Sequence, residues 1–168
     1  GEWSAMQIEI RDYRQEDAAD AAAIWNEVVE AGDAFPQNEL LDAQSGHAFF
    51  AEQSYTGIAY SAETGETVGL YILHPNNIGR CGHICNASYA VKSGLRGKHI
   101  GEMLVRHCME QAKTLGFGIL QFNAVVKSNL PALRLYKKLG FVQLGTIPGG
   151  FRMPDGGYAD IIPHYIVL

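Results

Sequence analysis

The hydrophobic pattern of this chain changes its period repeatedly between two and about 3.6, and this alternation constrains the fold more than any other feature. Segments with the short period predict strands at 7–10, 57–61, 67–73, 83–91, 119–126, 141–147 and 159–167. Segments with the long period predict helices at about 16–30, 38–53, 100–115 and 129–139. The order β-α-α-β-β-β-α-β-α-β-β predicts an α/β (α+β) domain, with about four helices flanking a mixed sheet of about seven strands.

The composition places the chain among globular proteins. Of 168 residues, 47% are hydrophobic and 18% are charged, which suits a packed core and not a disordered chain. The net charge of −5 argues against nucleic acid as a partner, and no apolar run approaches the roughly 18 residues that span a membrane. Three cysteines cannot all pair, so they predict reduced thiols and a cytoplasmic protein. Residues 6–168 are expected to form a single domain, and residues 1–5 to be a remnant of cloning.

A glycine-rich segment, Arg96-Gly-Lys-His-Ile-Gly101, lies between a predicted strand and a strongly amphipathic helix. Glycines allow backbone N–H groups to turn toward an anion, and the positive end of the helix dipole adds to the attraction. The side chains of Arg96 and Lys98 supply positive charge beside it. The segment matches neither the P-loop nor the Rossmann fingerprint. By itself it indicates either a phosphate site or a turn that merely begins a helix.

A second segment follows one strand later, Asn129-Leu-Pro-Ala-Leu-Arg-Leu-Tyr136-Lys-Lys-Leu-Gly-Phe141. In this order, the two segments resemble the CoA motifs of the GCN5-related N-acetyltransferase (GNAT) superfamily. The first motif, Gln/Arg-x-x-Gly-x-Gly/Ala, has Arg96 and Gly101 at its ends here, with His99 where the middle glycine is usual. The second motif is Asn-x-x-Ala-x-x-Leu-Tyr-x-x-x-Gly-Phe. The resemblance extends over residues 10–168, because the order of elements also matches.

The resemblance implies the GNAT fold and acetyl-CoA as cosubstrate, with its pyrophosphate held by the first motif. Backbone N–H groups of the preceding strand would polarise the acetyl carbonyl. Asn129 is open to two roles, as a helix cap or as a partner of the pantetheine arm. The cofactor-binding residues implied are Tyr89, Ala90, Val91, Arg96, Gly97, Lys98, His99, Ile100, Gly101, Asn129 and Tyr136.

A closer resemblance within the superfamily concerns the phosphinothricin-type and the azetidine-2-carboxylate (proline-analogue) acetyltransferases. Phosphinothricin-type enzymes have a glutamate general base at the position that Asn86 occupies here. The amide of Asn86 cannot accept a proton from the acceptor amine as that glutamate would. His83-Ile-Cys-Asn-Ala87 and Phe122-Asn-Ala-Val125 resemble segments of the proline-analogue enzymes. This likeness implies that Asn86 and Asn123 hold the substrate and serve catalysis, with deprotonation through water. Tyr136 is either the general acid or a core tyrosine.

The sequence therefore predicts an N-acetyltransferase that transfers the acetyl group of acetyl-CoA to the amine of a small amino-acid-like substrate, by direct attack in a ternary complex. Phe35 either lines the acceptor pocket or anchors the core. Two alternatives stay open: a non-catalytic acyl-CoA sensor and a protein or peptide N-acetyltransferase.

Two further features of the sequence bear on metals and on assembly. Cys81, His83 and Cys85 alternate on one predicted strand face, but structural zinc usually requires a fourth ligand, so no metal is predicted. The final strand, 161–168, belongs either to a homodimer interface or to the core.

Overall fold

The computed structural model describes residues 7–95 and 99–168. Its helices are α1 (Ala18–Ala31), α2 (Ala43–Ala51), α3 (Ile100–Thr114) and α4 (Leu130–Leu139). Its strands are β1 (Ile8–Asp12), β2 (Tyr55–Ser61), β3 (Thr67–Pro75), β4 (Ile84–Val91), β5 (Ile119–Phe122), β6 (Val142–Gln143), β7 (Ile147–Arg152), β8 (Tyr158–Ile161) and β9 (His164–Val167). The prediction for residues 1–5 concerns residues outside this described part.

Seven strands form one mixed sheet in the order β1-β2-β3-β4-β5-β9-β6, and β7 pairs with β8 in a separate ribbon. All neighbouring strands are antiparallel except β4 and β5, which run parallel. Parallel neighbours need a long crossover connection, which here contains α3. The predicted mixed sheet of seven strands with four helices is confirmed.

Helices cover both faces of the sheet. On one face, Leu104, Val105 and Cys108 of α3 are buried in a core cluster with residues of the central strands. On the other face, Trp25 of α1 and Phe50 of α2 form a second cluster. Residues 67–73 of β3 are all buried between these layers, which is why residues 68–73 form an almost continuous apolar run and do not alternate with polar residues.

The C-terminal third differs from the predicted strands in extent. The strand expected at 119–126 ends at Phe122, where its pairing with β9 also ends. The strand expected at 159–167 is divided before His164, because Pro163 has no N–H for a ladder. The strand expected at 141–147 is reduced to two residues before Gly145 turns the chain with a φ of +91°. The segment between these two predicted strands contributes to the β7–β8 ribbon.

The second predicted helix is shorter than expected and begins at a well-formed cap. The Asp42 carboxylate accepts a hydrogen bond from the Ser45 backbone N–H at 2.7 Å, and the Ser45 hydroxyl accepts one from the Asp42 N–H at 2.9 Å. This reciprocal capping satisfies two backbone donors and places the helix start at Ala43. Across residues 7–95 and 99–168, no helix combines the length and apolarity needed to cross a bilayer.

Candidate active site

A cleft opens where β4 and β5 separate. The two strands pair only at Ile84 with Ile119 and at Cys85 with Leu120. Beyond this point β4 continues along β3 to Val91, while β5 ends. The gap forms a cleft of about 350 Å³, which lies within the range of small-molecule pockets.

Six of the residues singled out in the sequence line this cleft, although they come from four separate regions of the chain. They are Phe35, Asn86, Tyr89, Asn123, Asn129 and Tyr136. Phe35 also packs against Trp25, with ring centroids 4.3 Å apart, so it serves the core and the cleft together. Ala90 and Val91 are not among the lining residues, and the Ala90 side chain is buried on the face covered by α1.

The Asn86 side chain bridges the gap between the separating strands. Its Nδ2 donates a hydrogen bond to the Gln121 carbonyl oxygen at 2.8 Å, one residue past the last ladder pair. A side-chain amide thus replaces the backbone donor that a continuing ladder would supply. This bond uses Nδ2, which leaves the amide oxygen of Asn86, a residue of the cleft lining, available as a hydrogen-bond acceptor.

Asn123 follows directly after β5 and is held by two other amides. Its Oδ1 accepts a hydrogen bond from Gln121 Nε2 at 3.0 Å, and its Nδ2 donates one to Asn76 Oδ1 at 2.6 Å. The sequence analysis assigned no role to Gln121 or Asn76. Asn76 lies in a loop 47 positions before Asn123, so no local pattern could reveal the contact.

Tyr136 lies in an aromatic cluster at the cleft wall. Its ring centroid is 4.6 Å from Phe122, 5.3 Å from Phe141 and 5.5 Å from His164. Burial, with a smaller contribution from the nearby Cys108, raises the pKa of Tyr136 well above its usual value. The phenol therefore keeps its proton at neutral pH.

Two further buried groups lie beside Tyr136. The Tyr89 hydroxyl is buried without a hydrogen-bond partner of normal geometry in the described part of the chain, and burial raises its pKa. Burial also raises the pKa of the Cys108 thiol to about 12. Cys108 consequently carries no thiolate at neutral pH and is not a nucleophile.

Asn129 caps α4 and also reaches the cleft. Its Oδ1 accepts a hydrogen bond from the Ala132 backbone N–H at 3.3 Å, as the capping interpretation expected. Its side chain lines the cleft as well. The two roles weighed in the sequence are therefore compatible, because the cap uses only the amide oxygen.

The start of α3 carries the described part of the glycine-rich segment. His99 has a φ of +62°, the left-handed conformation that glycine adopts most readily, which agrees with its place at the usual glycine of the motif. Ile100 is buried in the core, and a Cβ at Gly101 would meet no atom of the described residues within 4 Å. Arg96, Gly97 and Lys98 lie outside the described residues, so their predicted contacts stay predictions.

The described lining of the cleft consists almost entirely of uncharged side chains. Among the described lining residues there is no aspartate, glutamate, lysine or arginine, and His74 is the one histidine. His74 was not anticipated from the sequence. Its Nδ1 lies 3.0 Å from the Pro75 carbonyl oxygen, and it pairs across the ladder with Asn86.

The interpretation that Cys81, His83 and Cys85 share one strand face is wrong. β4 begins at Ile84, and Cys81 lies in a preceding 3₁₀ turn where it is exposed while Cys85 is buried. Over the described residues, no group of three or more His, Cys, Asp or Glu side chains could hold a metal ion.

Residues 10–141 match the sequence model of the acetyltransferase (GNAT) family. The chain belongs to the GNAT family. This confirms the predicted family and the predicted class of enzyme, an acyltransferase. The matched residues include β4, α3, β5 and α4, the elements that form the cleft and carry both CoA motifs.

Individual relatives agree with this GNAT assignment. N-acetyltransferase aca1 of Schizosaccharomyces pombe is 35% identical over 55% of this chain, a stretch that is 45% of its own length. L-methionine sulfoximine/L-methionine sulfone acetyltransferase of Pseudomonas aeruginosa is 28% identical over 85% of both chains. A GCN5-related N-acetyltransferase from Kribbella flavida superposes with a TM-score of 0.87 at 29% identity, covering 96% of this chain and 98% of that one.

A structure determined with acetyl-CoA shares the GNAT fold. It is a phosphinothricin acetyltransferase from Sinorhizobium meliloti, with a TM-score of 0.88 at 18% identity, covering 97% of this chain and 89% of that one. That protein was crystallised with acetyl-CoA, and its likeness to this chain shows the shared fold.

Proposed function

We propose that this protein transfers the acetyl group of acetyl-CoA to the amine of a small amino-acid-like substrate. The observation that carries the proposal is the cleft between β4 and β5, which brings Phe35, Asn86, Asn123 and Tyr136 around a volume of about 350 Å³. Its size suits a small acceptor. The Pseudomonas relative, which aligns over 85% of the chain, supports an acceptor of amino-acid type.

The residues present fit acetyl-CoA. The surface at Gly101 is open at the first turn of α3, so a pyrophosphate group can approach the helix N-terminus. The buried Tyr89 hydroxyl lacks a partner within the described residues at the wall of the same cleft. Residues 96–101 bind the pyrophosphate in this proposal, and Asn129 bonds the pantetheine arm with its free Nδ2. Acetyl-CoA supplies an activated thioester.

In the proposed mechanism, Asn86 and Asn123 orient the acceptor amine, which loses a proton to water. The amine lone pair forms a bond to the thioester carbonyl carbon, and backbone N–H groups among Tyr89, Ala90 and Val91 stabilise the charge on the carbonyl oxygen. The carbon–sulfur bond then breaks, and the sulfur takes the proton of Tyr136. The nitrogen loses its second proton to water, and water returns a proton to Tyr136, so the products are the N-acetyl compound and the CoA thiol. Reaction in a ternary complex is efficient because both reactants are held in place.

Calorimetry with acetyl-CoA, followed by a thiol-release screen over amino acids and peptides, tests this function. We expect acetyl-CoA to bind and one or more amino acids to be acetylated. Binding without turnover on any acceptor would indicate an acyl-CoA sensor, and turnover on peptides alone would indicate a peptide N-acetyltransferase. Absence of acetyl-CoA binding would contradict all three functions.

The proposal extends to a cytoplasmic homodimer. The three cysteines are unpaired, which suits a reducing compartment. β9 pairs with β5 on one side and with the two residues of β6 on the other, so β6 is the edge strand at this end of the sheet. Two exposed apolar side chains on this end of the sheet, Val142 of β6 and Val167 of β9, support such a contact. Light scattering should give the mass of a dimer, and Val167→Asp should shift it to that of a monomer.

A further inference from the structure

A continuous chain of amide hydrogen bonds crosses the edge of the cleft. Asn86 Nδ2 donates to the Gln121 backbone oxygen, Gln121 Nε2 donates to Asn123 Oδ1, and Asn123 Nδ2 donates to Asn76 Oδ1. The far end is anchored, because the Asn76 backbone N–H donates to the Ile84 carbonyl at 2.8 Å. The other end, Asn86, lies on β4, where it pairs with His74 of β3, and the middle of the series is held by β5, which pairs with β9. The chain therefore joins the turn after β3 to the end of β5.

The Asn123 side chain is held mainly by this series of hydrogen bonds. It is an exposed residue just past the end of β5, where its side chain would otherwise rotate freely. The bond from Gln121 uses one lone pair of Asn123 Oδ1, and the bond to Asn76 uses one N–H of Asn123 Nδ2. One N–H and one oxygen lone pair of Asn123 therefore remain for a ligand. Neither Gln121 nor Asn76 lines the cleft, so any influence on the acceptor passes through Asn123.

We propose that Gln121 and Asn76 are positioning residues that fix the direction of the Asn123 amide and thereby set the affinity for the acceptor. This inference rests on the proposed function, in which Asn123 contacts the acceptor. Because the remaining amide groups of the cleft are uncharged, the acceptor is held by oriented dipoles, and the orientation of each dipole decides how well it binds.

The two bonds to Asn123 have opposite directions, and this allows a sharp test. Asn76 accepts a hydrogen bond through its side-chain oxygen, and Gln121 donates one through its side-chain nitrogen. A carboxylate can only accept. Asn76→Asp therefore keeps its bond, whereas Gln121→Glu loses its bond, although both changes preserve shape and add one negative charge. Gln121→Glu also leaves the Asn86 bond intact, because that bond uses the Gln121 backbone oxygen.

Steady-state kinetics of the full chain should separate these variants. We expect Gln121→Glu and Asn76→Ala to raise the acceptor KM about fivefold, the range of one net hydrogen bond, with the KM for acetyl-CoA unchanged. Asn76→Asp should keep the acceptor KM close to the wild-type value, in contrast to the raised KM of Asn76→Ala. Asn77→Asp serves as a charge control, since Asn77 bonds only the neighbouring Ile78 N–H in the described contacts. In an Asn123→Ala background, Asn76→Ala should have no further effect.

Hydrogen exchange of the Asn123 side-chain amide, followed by NMR without substrate, tests positioning independently of activity. Exchange should be slow in the wild type and in Asn76→Asp, and faster in Asn76→Ala. Equal effects of Asn76→Asp and Asn76→Ala, an unaltered acceptor KM in Gln121→Glu, or additive effects with Asn123→Ala would overturn the inference. If the wild-type protein transfers no acetyl group to any acceptor, the proposed function is contradicted. The positioning inference is still tested in that case, because the exchange measurement needs no activity.

Discussion

Replacement of Asn86 by alanine tests the cleft most directly. The change removes the Nδ2 that donates to the Gln121 carbonyl at 2.8 Å, at the point where the β4–β5 ladder has ended. It also removes the amide oxygen that faces the acceptor in the proposed mechanism. Asn86→Ala therefore affects the spacing of the strands and the position of the acceptor, and the two effects differ in size.

The loss of stability should be small. A neutral hydrogen bond contributes about 1 kcal/mol net, and Gln121 is only half-buried, so water can reach its freed carbonyl. For a domain of this size, a loss of about 1 kcal/mol lowers Tm by roughly 2–4 °C. The loss of activity should be larger, because a misplaced reactant costs about 100-fold in rate. That factor corresponds to about 2.7 kcal/mol, which partial unfolding cannot explain.

The assay combines thiol release for kcat, calorimetry for acetyl-CoA affinity and thermal unfolding for Tm. Gln53→Ala is the matched control, because Gln53 Nε2 also donates to a backbone carbonyl, that of Phe49 at 3.0 Å, just after α2 and outside the cleft lining. We expect the control to lose similar stability and to retain kcat. The reasoning would be refuted if kcat of Asn86→Ala stayed within twofold of the wild-type value. It would also be refuted if the affinity for acetyl-CoA fell by the same factor as kcat.

Three further predictions concern single residues. Tyr136→Phe should lower kcat about 100-fold with Tm nearly unchanged, because the ring packing is retained while the proton donor is lost; an unchanged kcat would remove Tyr136 as general acid. Asp17→Asn should cost about 2 kcal/mol in urea unfolding at neutral pH, since burial of Asp17 is outweighed by its bonds with Arg11 at 2.8 Å and its pKa is lowered. A lowered folded pKa means that this difference is present above the unfolded pKa of about 4 and vanishes as pH falls through the folded value, so an equal difference near pH 2 would contradict it. Gly57→Ala should destabilise the fold by about 2 kcal/mol in the same assay, because its Cβ would overlap the buried Tyr71 ring; unfolding at the wild-type urea midpoint would show that the ring can move.

Local signals in the sequence predicted those elements that depend on neighbouring residues. α4 begins after its Asn129 cap and ends at Gly140, which has a φ of +92° as a left-handed stop requires. α3 follows the predicted apolar stripe, with Leu104 and Cys108 fully buried. The strand predicted at 119–126 is shorter in the structure, because its end depends on a distant partner. β5 ends at Phe122, where its pairing with β9 ends, although apolar residues continue beyond it.

The sequence by itself determined the order of the elements through α4, the family and the residue types at the two CoA motifs, because periodicity, caps and motif spacing are properties of neighbouring residues. Only the tertiary structure decided that β4 and β5 share two paired positions and then separate. It also decided that Asn76 meets Asn123, because this contact depends on how β3, β4 and β5 align in one sheet. Such alignment is set by the packing of the whole core, which no local pattern encodes.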